Sequence, residues 1–371
     1  MKRMLFNLLF LILPALAISQ EYYLLVGTYT SGKSEGIYVY KFNSATGETG
    51  YVSKVAASNP SYLAVSKNNK YVYSVYEDGD DNGSVAAFSF NRKDGSLKFL
   101  NKQSSGGDHP CYVAIDESGK WVAVANYTGG NFSLLGVSPD GFLRAAERTV
   151  KHSGSGADKQ RQDKPHVHST VFDPHDKYLL VQDLGIDKIM VYAFDNKLGE
   201  LKAAKIPSNS TLPGAGPRHI DFHPNGRYVY LMEELSGNVT AYGYSKGKLQ
   251  FLQTISAIKE GYKGPIGSAD IHVSPDGKYV YASNRGESND IAIFAIDKST
   301  GKLTLKGHQS VLGKGPRNFS IDPTGAFLLC ANQTTNDIVI FKRDKETGLL
   351  TDTGKKIELD KPVCLKWIPV K

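Results

Sequence analysis

One phrase recurs seven times along this chain. A small or polar residue and a proline open an apolar strand, a turn rich in Pro, Asp, Asn and Gly follows, and a second strand returns. The clearest copies run from His109-Pro110 to Tyr127, Gly216-Pro217 to Glu234, Ser268 to Arg285 and Gly315-Pro316 to Gln333. Asn59-Pro60 and Lys164-Pro165 open two looser copies, and Lys361-Pro362 opens a seventh that the C-terminus truncates. The opening positions 60, 110, 165, 217, 268, 316 and 362 are separated by 50, 55, 52, 51, 48 and 46 residues. Strand-like units at such a period predict a β-propeller, because one four-stranded sheet cannot bury its own faces and must stack on its neighbours.

The two ends complement each other. Tyr22 to Val26, Gly36 to Phe42 and Tyr51 to Ala56 read as strands two, three and four of a blade that lacks its first, and Val363 to Val370 reads as a first strand alone. Joined, they make a seventh blade and remove the exposed edges of an open array. The expected fold is therefore all-β: one domain over residues 20–371, a closed seven-bladed propeller of four-stranded antiparallel blades. Within a repeat, Ile220 to His223 and Tyr228 to Leu231 carry the bulky and β-branched residues of half-buried strands, and Pro224-Asn225-Gly226 supplies the reversal.

Residues 1–19 read as a secretory leader: Lys2 and Arg3 precede the apolar stretch Met4 to Ile18, and Ala17-Ile18-Ser19 offers the small residues of a cleavage site. Cleavage after Ser19 predicts a periplasmic or secreted protein with no membrane insertion once the leader is removed. The formal charge of +7 falls to +5 without Lys2 and Arg3, and the remaining lysines are scattered among turns, which suits a solvated surface better than a nucleic-acid partner. Cys111, Cys330 and Cys364 fall inside apolar strand patterns and are expected to be buried free thiols.

Strand order places the chemistry. The opening of each first strand and the close of each second strand lie side by side at one end of the blade, beside the central channel. The openings bring His109, His166, His168, Arg218, His219, Asp270 and Arg317; the closings bring Glu77, Asn126, Tyr127, Asp183, Glu233, Glu234, Asn284, Arg285, Asn332 and Gln333. A rigid ring can aim such groups at one ligand. Arg218 and Glu234, sixteen apart, should face each other across a hairpin, and Asp270 and Arg285, fifteen apart, repeat that offset. Two arginines around one glutamate leave positive charge for an anion, and guanidinium groups take carboxylate or phosphate in bidentate fashion. His166 and His168 are two apart on a strand and so share a face. A metal would need a third ligand, Asp183 or His219, and no Cys or Glu-x-x-His spacing supports one, so no metal is expected. His175 and His223 at the far end should be solvated, and residues 151–164 read as a long flexible loop. Ser153-Gly154-Ser155-Gly156 within it is not a nucleophile elbow, and no phosphate-cradling loop or calcium loop is found, so no cofactor is expected.

Several motifs together carry a family resemblance: Val26-Gly27-Thr28-Tyr29-Thr30, Asn126-Tyr127 with Gly129-Gly130, Pro165-His166-Val167-His168-Ser169, Asp183-Leu184-Gly185 with Asp187, Gly216-Pro217-Arg218-His219 and Glu234-Leu235. From about Tyr22 to Pro369 the chain resembles the lactonase family of seven-bladed propellers, which includes bacterial 6-phosphogluconolactonases and fungal carboxy-cis,cis-muconate cyclases. The resemblance implies a site of His168, Arg218, Glu234 and Arg285; for hydrolysis of a lactone, His168 and Glu234 are the expected catalytic pair, one activating water and the other protonating the leaving ring oxygen. Arg218 and Arg285 are then expected to bind an anionic lactone, and strand order adds His166, Asn126, Asp183 and Arg317 at the mouth as further candidate substrate contacts. A phosphorylated sugar lactone is a cytoplasmic metabolite, however, and this chain carries an export leader. Lactone hydrolysis, a muconate-type isomerisation and a non-catalytic binding propeller all fit the sequence.

Overall fold

The computed structural model describes residues 20–371; the expected leader at 1–19 lies outside the described residues. Twenty-eight strands form seven four-stranded antiparallel sheets. The inner strands are Leu63–Val65 in blade one, Pro110–Ile115 in two, Val167–Phe172 in three, Pro217–Phe222 in four, Ser268–Val273 in five, Pro316–Ile321 in six and Pro362–Pro369 in seven. Each inner strand packs on the next, and the seventh packs on the first, so the ring is closed.

Blade seven is assembled from both ends of the chain, as the orphan strands suggest. Pro362–Pro369 pairs antiparallel with Glu21–Thr28, with Val26 opposite Leu365 and Tyr22 opposite Pro369, and Gly36–Asn43 and Thr49–Ala56 complete the sheet. The Pro-x-Gly turns at the far end behave as expected: Gly226, Gly277 and Gly325 take positive φ and donate to the carbonyls of His223, Ser274 and Asp322. The half-buried pattern does not hold for the second strands. Tyr228–Glu233 and Trp121–Asn126 are buried along their whole length, whereas fourth strands such as Leu143–Lys151 are largely exposed. Blades stacked face to face cover both sides of a second strand, so Val122 to Ala125 alternates large and small rather than apolar and polar. His223, expected to be solvated, is buried, with Nε2 3.0 Å from the Gly277 carbonyl of the next blade.

A second repeat couples neighbouring blades. In every hairpin between third and fourth strands a glycine with φ between +68 and +87 lies under an aromatic ring from the preceding blade: Gly95 under Tyr23, Gly141 under Tyr71, Gly199 under Trp121, Gly247 under Tyr178, Gly301 under Tyr228, Gly348 under Tyr279 and Gly47 under Phe327. Tyr230 and Tyr281 extend this contact by donating to the Gly301 and Gly348 carbonyls at 3.0 and 2.7 Å. A Cβ on Gly301 would stand 2.3 Å from Tyr228 Cδ1, whereas Gly119, also at positive φ, has open space around it. Gly119→Ala should therefore cost only the left-handed backbone penalty of about 1 kcal/mol, and Gly301→Ala about 1–3 kcal/mol more through displacement of the ring. Urea unfolding midpoints of the two variants measure the difference; equal costs would remove the inter-blade contact from the account.

Candidate active site

Two recurring positions supply the side chains around the central channel, and both are set by backbone register. The first is a bulge in the inner strand. Pairing shifts between Pro110 and Tyr112, Val167 and Ser169, Pro217 and His219, and Pro316 and Asn318, leaving Cys111, His168, Arg218 and Arg317 as the extra residues. A bulge twists the strand and re-aims one side chain. The second position directly follows the second strand. There the backbone N–H bonds to the carbonyl preceding the inner strand: Glu77 to Asn59 at 3.1 Å, Tyr127 to His109 at 3.0 Å, Glu234 to Gly216 at 2.8 Å and Arg285 to Gly267 at 3.2 Å. Tyr29 makes the same bond to Lys361 at 3.0 Å in blade seven.

In blade three this bond joins Leu184 to the His166 carbonyl at 2.9 Å, so Val167, and not Pro165, stands in register with the prolines that open the other inner strands. His168 consequently matches Arg218 and Arg317, and His166 precedes the strand. The two imidazoles do not share a face. His166 stacks on the Tyr127 ring at 4.5 Å, its Nδ1 is 3.1 Å from the Tyr127 carbonyl and its Nε2 is 3.2 Å from Asp163, so it supports Tyr127 from outside the cavity.

The channel opens into a cavity of about 490 Å³ lined by Tyr29, Glu77, Cys111, Tyr127, Arg161, His168, Glu234, Arg285 and Arg317, with Gly267 and Gly286. Its volume suits a small ligand. Glu234 is the charge at its centre. Arg161 donates to Oε1 at 2.7 Å, Arg218 Nε donates to Oε2 at 2.9 Å, and Arg285 lies 3.2 Å from Oε2. Burial pushes this carboxyl up, but Arg285, Arg218 and Arg161 together bring it down to about 2. His168 Nε2 lies 3.8 Å from Glu234 Oε2. Burial, Arg218, His219 and Arg317 all hold this imidazole well below its usual value, so it is neutral. Burial lowers Arg285 to about 10, against the pull of Glu234, and it remains a cation at neutral pH.

Arg218 is 1 % exposed and lies behind Glu234, with Nη1 donating to the Ala269 carbonyl at 2.6 Å. It holds the carboxylate and does not line the cavity. Asp270 does not pair with Arg285. It lies 2.7 Å from His219 Nδ1 and 3.0 Å from His272 Nε2, and accepts from Asn318, plugging the channel under the site. Burial and Arg218 bring His219 down to about 3, while at His272 burial is outweighed by Asp270 and Asp221 together, which raise it to about 10.

Asn126 and Asp183 also lie away from the cavity. Asn126 Nδ2 donates to Ser105 O at 3.0 Å and Asn131 Oδ1 at 2.7 Å; Asn284 and Asn332 repeat the pattern, donating to Ala257 O and Val311 O. Asp183 Oδ1 accepts from the backbone of His166 and Gly185 at 2.8 and 3.0 Å, and its Oδ2 is 2.6 Å from His152. These residues close each second strand and tie it to the adjoining loop.

Arg161 escapes the sequence reading. It sits in the 151–164 segment, where the fully buried Gln162 donates to Leu184 O and Asp187 Oδ1 at 2.8 and 2.7 Å. Arg161 thereby reaches over the mouth to Glu234 and to Tyr127 Oη at 3.2 Å. All three cysteines are buried and unpaired; burial raises the Cys111 thiol, whose Sγ is 3.8 Å from His168 Nδ1.

Residues 23–367 match the family described as lactonase, 7-bladed beta-propeller. The chain is 44% identical over 316 residues to a 6-phosphogluconolactonase of Formosa agariphila, covering 83% of this chain and 88% of the relative. It is 39% identical over 348 residues to a 6-phosphogluconolactonase of Bacillus subtilis, covering 92% and 97%. The solved structure of a Pseudomonas aeruginosa periplasmic gluconolactonase superposes with a TM-score of 0.90 at 36% identity, covering 95% of this chain and 100% of that one. With its closed ring, charged cavity and end-to-end match, the chain belongs to the lactonase family of seven-bladed β-propellers.

Proposed function

We infer that the protein hydrolyses a sugar-acid lactone, with His168 as the proton carrier and Glu234 as a permanent anion. The observation that supports this most strongly is the 3.8 Å separation of His168 Nε2 and Glu234 Oε2 in the cavity wall. Two acceptors at that spacing both lie within about 2.8 Å of a single water oxygen. Arg161, Arg218 and Arg285 engage both Glu234 oxygens and hold the carboxyl at about 2, so it stays ionised at neutral pH. Glu234 thus orients the water and stabilises the imidazolium as it forms, while neutral His168 takes the proton.

In the proposed sequence the water oxygen bonds to the lactone carbonyl carbon and its proton passes to His168. Arg285, and Arg161 from above, stabilise the charge that develops on the carbonyl oxygen. Collapse breaks the bond between the carbonyl carbon and the ring oxygen, which takes the proton back from His168. The product is the open-chain acid. Arg218 acts through Glu234, whose position it fixes, and has no direct contact with the substrate.

The identity to two 6-phosphogluconolactonases supports an aldonolactone substrate, and the likeness to a periplasmic gluconolactonase supports a site of action outside the cytoplasm. The charged stretch and small residues at 1–19 agree with export. Among the described residues no helix is long and apolar enough to cross a membrane.

Hydrolysis consumes base in a pH-stat, and isomerisation does not. His168→Ala and Glu234→Gln should each lower kcat on glucono-δ-lactone about 10²- to 10⁴-fold in folded protein; full activity in both would overturn the assignment. The acid limb of kcat/KM should fall below pH 6.5, because the imidazole is held below that value; a limb above pH 6.5 would contradict it. Glu234 also links pH to stability. Its folded value, about 2, lies below the usual 4.5, so its stabilisation is complete above pH 4.5 and is lost as pH falls towards 2. Acid unfolding of Glu234→Gln should lack that part of the pH dependence.

A further inference from the structure

Three of the four arginines at the site donate hydrogen bonds to described residues. Arg161 donates to Glu234 and Tyr127, Arg218 to Glu234 and the Ala269 carbonyl, and Arg285 to the Gly267 and Ser268 carbonyls at 2.9 and 3.3 Å, with Glu234 also within 3.2 Å. Arg317 differs. Its side chain is 18% exposed and lines the cavity, yet its guanidinium donates no hydrogen bond to any described residue; the nearest carboxylate oxygen, Glu77 Oε1, is 4.0 Å away. Glu77 is itself engaged through its other oxygen, which accepts from Tyr29 Oη at 2.8 Å and from Ser61. The Tyr29 ring lies 5.3 Å from the Arg317 guanidinium carbon and holds the group in place by a cation–π contact.

The charge balance points the same way. Arg161, Arg218, Arg285 and Arg317 face Glu234 and Glu77, and His168 is neutral, so two positive charges are in surplus. A fixed, largely desolvated guanidinium with unspent donors is costly alone and is matched by an anion that accepts from its planar fork. Glu234 and Arg285 already define where the lactone carbonyl reacts, and Arg317, on the bulge of blade six, is a separate element of the wall.

We propose that Arg317 is the specificity-determining residue of the site and binds a second, anionic group of the substrate, a phosphoryl or carboxylate group remote from the lactone carbonyl. This rests on the lactone-hydrolysis reading and deepens it. The Arg317 bulge selects lactones that carry such a group over neutral ones, and Tyr29 and Glu77 keep the guanidinium aimed at it.

Binding of the ring-opened acids tests this without turnover. Gluconate has one carboxylate, 6-phosphogluconate adds a phosphoryl group and glucarate adds a second carboxylate. Calorimetric titration of the mature chain should show that wild type prefers 6-phosphogluconate, glucarate or both to gluconate by roughly 10- to 100-fold. In Arg317→Met that preference should fall to near one, and in Arg317→Lys it should return in part, because a point charge remains without the fork. Loss confined to 6-phosphogluconate assigns a phosphoryl group, and loss confined to glucarate assigns a carboxylate. The inference is overturned if wild type shows no preference, if the preference survives Arg317→Met, or if Arg317→Met unfolds and Arg317→Lys keeps the wild-type ratio. Failure of the wild type to consume base with any lactone would count against hydrolysis alone.

Discussion

The site depends on a backbone hydrogen bond repeated around the ring, from the residue after each second strand to the carbonyl before each inner strand. It ties the two channel-facing positions of a blade together, so Glu234 and Arg218 arrive as one unit, as do Glu77 with Ser61 and Tyr127 with Cys111. Ring closure by Pro362–Pro369 against Glu21–Thr28 then fixes these units relative to one another. No helix or mobile lid is needed to assemble the constellation. A stiff scaffold suits a reaction whose catalytic groups must wait in place, because electrostatic stabilisation works best when the dipoles and charges need no reorganisation.

Within that frame, the arginines do two different jobs. Arg161, Arg218 and Arg285 converge on one carboxylate and keep it ionised, which also keeps His168 neutral through Arg218 and burial. The depressed carboxyl follows from that cationic wall, and the depressed imidazole from burial first and from the neighbouring cations second. Arg317 lies outside that cluster and keeps its donors for something else. Below the wall, Asp270 is paired with His219, His272 and Asn318.

The architecture was legible in the sequence because propeller blades repeat their punctuation. The prolines outside blade three, the Pro-x-Gly turns and the complementary orphan strands at the two ends mark real boundaries. The Arg218–Glu234 contact followed from hairpin spacing, and the same arithmetic failed for Asp270 and Arg285. Asp270 lies one residue past the channel-facing bulge position, so it points under the site while Arg285 points into it. Blade three misleads in the same way: Pro165 looks like the other opening prolines, but the register starts two residues later, which brings His168 into the site and leaves His166 behind Tyr127. One-residue bulges leave little trace in a single sequence. Asn126 and Asp183 looked functional because they are polar and near the mouth. The recurrence of Asn284 and Asn332 at the same blade position was the available sign that they brace the fold. Arg161 had no periodic context, and the buried Gln162 that anchors its loop looks, in sequence, like any polar loop residue. The family resemblance named His168, Arg218, Glu234 and Arg285, and the structure brings those four side chains into one cluster; their roles remain proposals.

The most direct measurement is a crystal structure of residues 20–371 with 6-phosphogluconate bound. The account predicts the carboxylate carbon beside His168 Nε2 and Glu234 Oε2, an oxygen of that carboxylate on Arg285, and the phosphoryl group on Arg317. A ligand seated elsewhere on the ring, or one in the cavity with its carboxylate out of reach of His168, would contradict it.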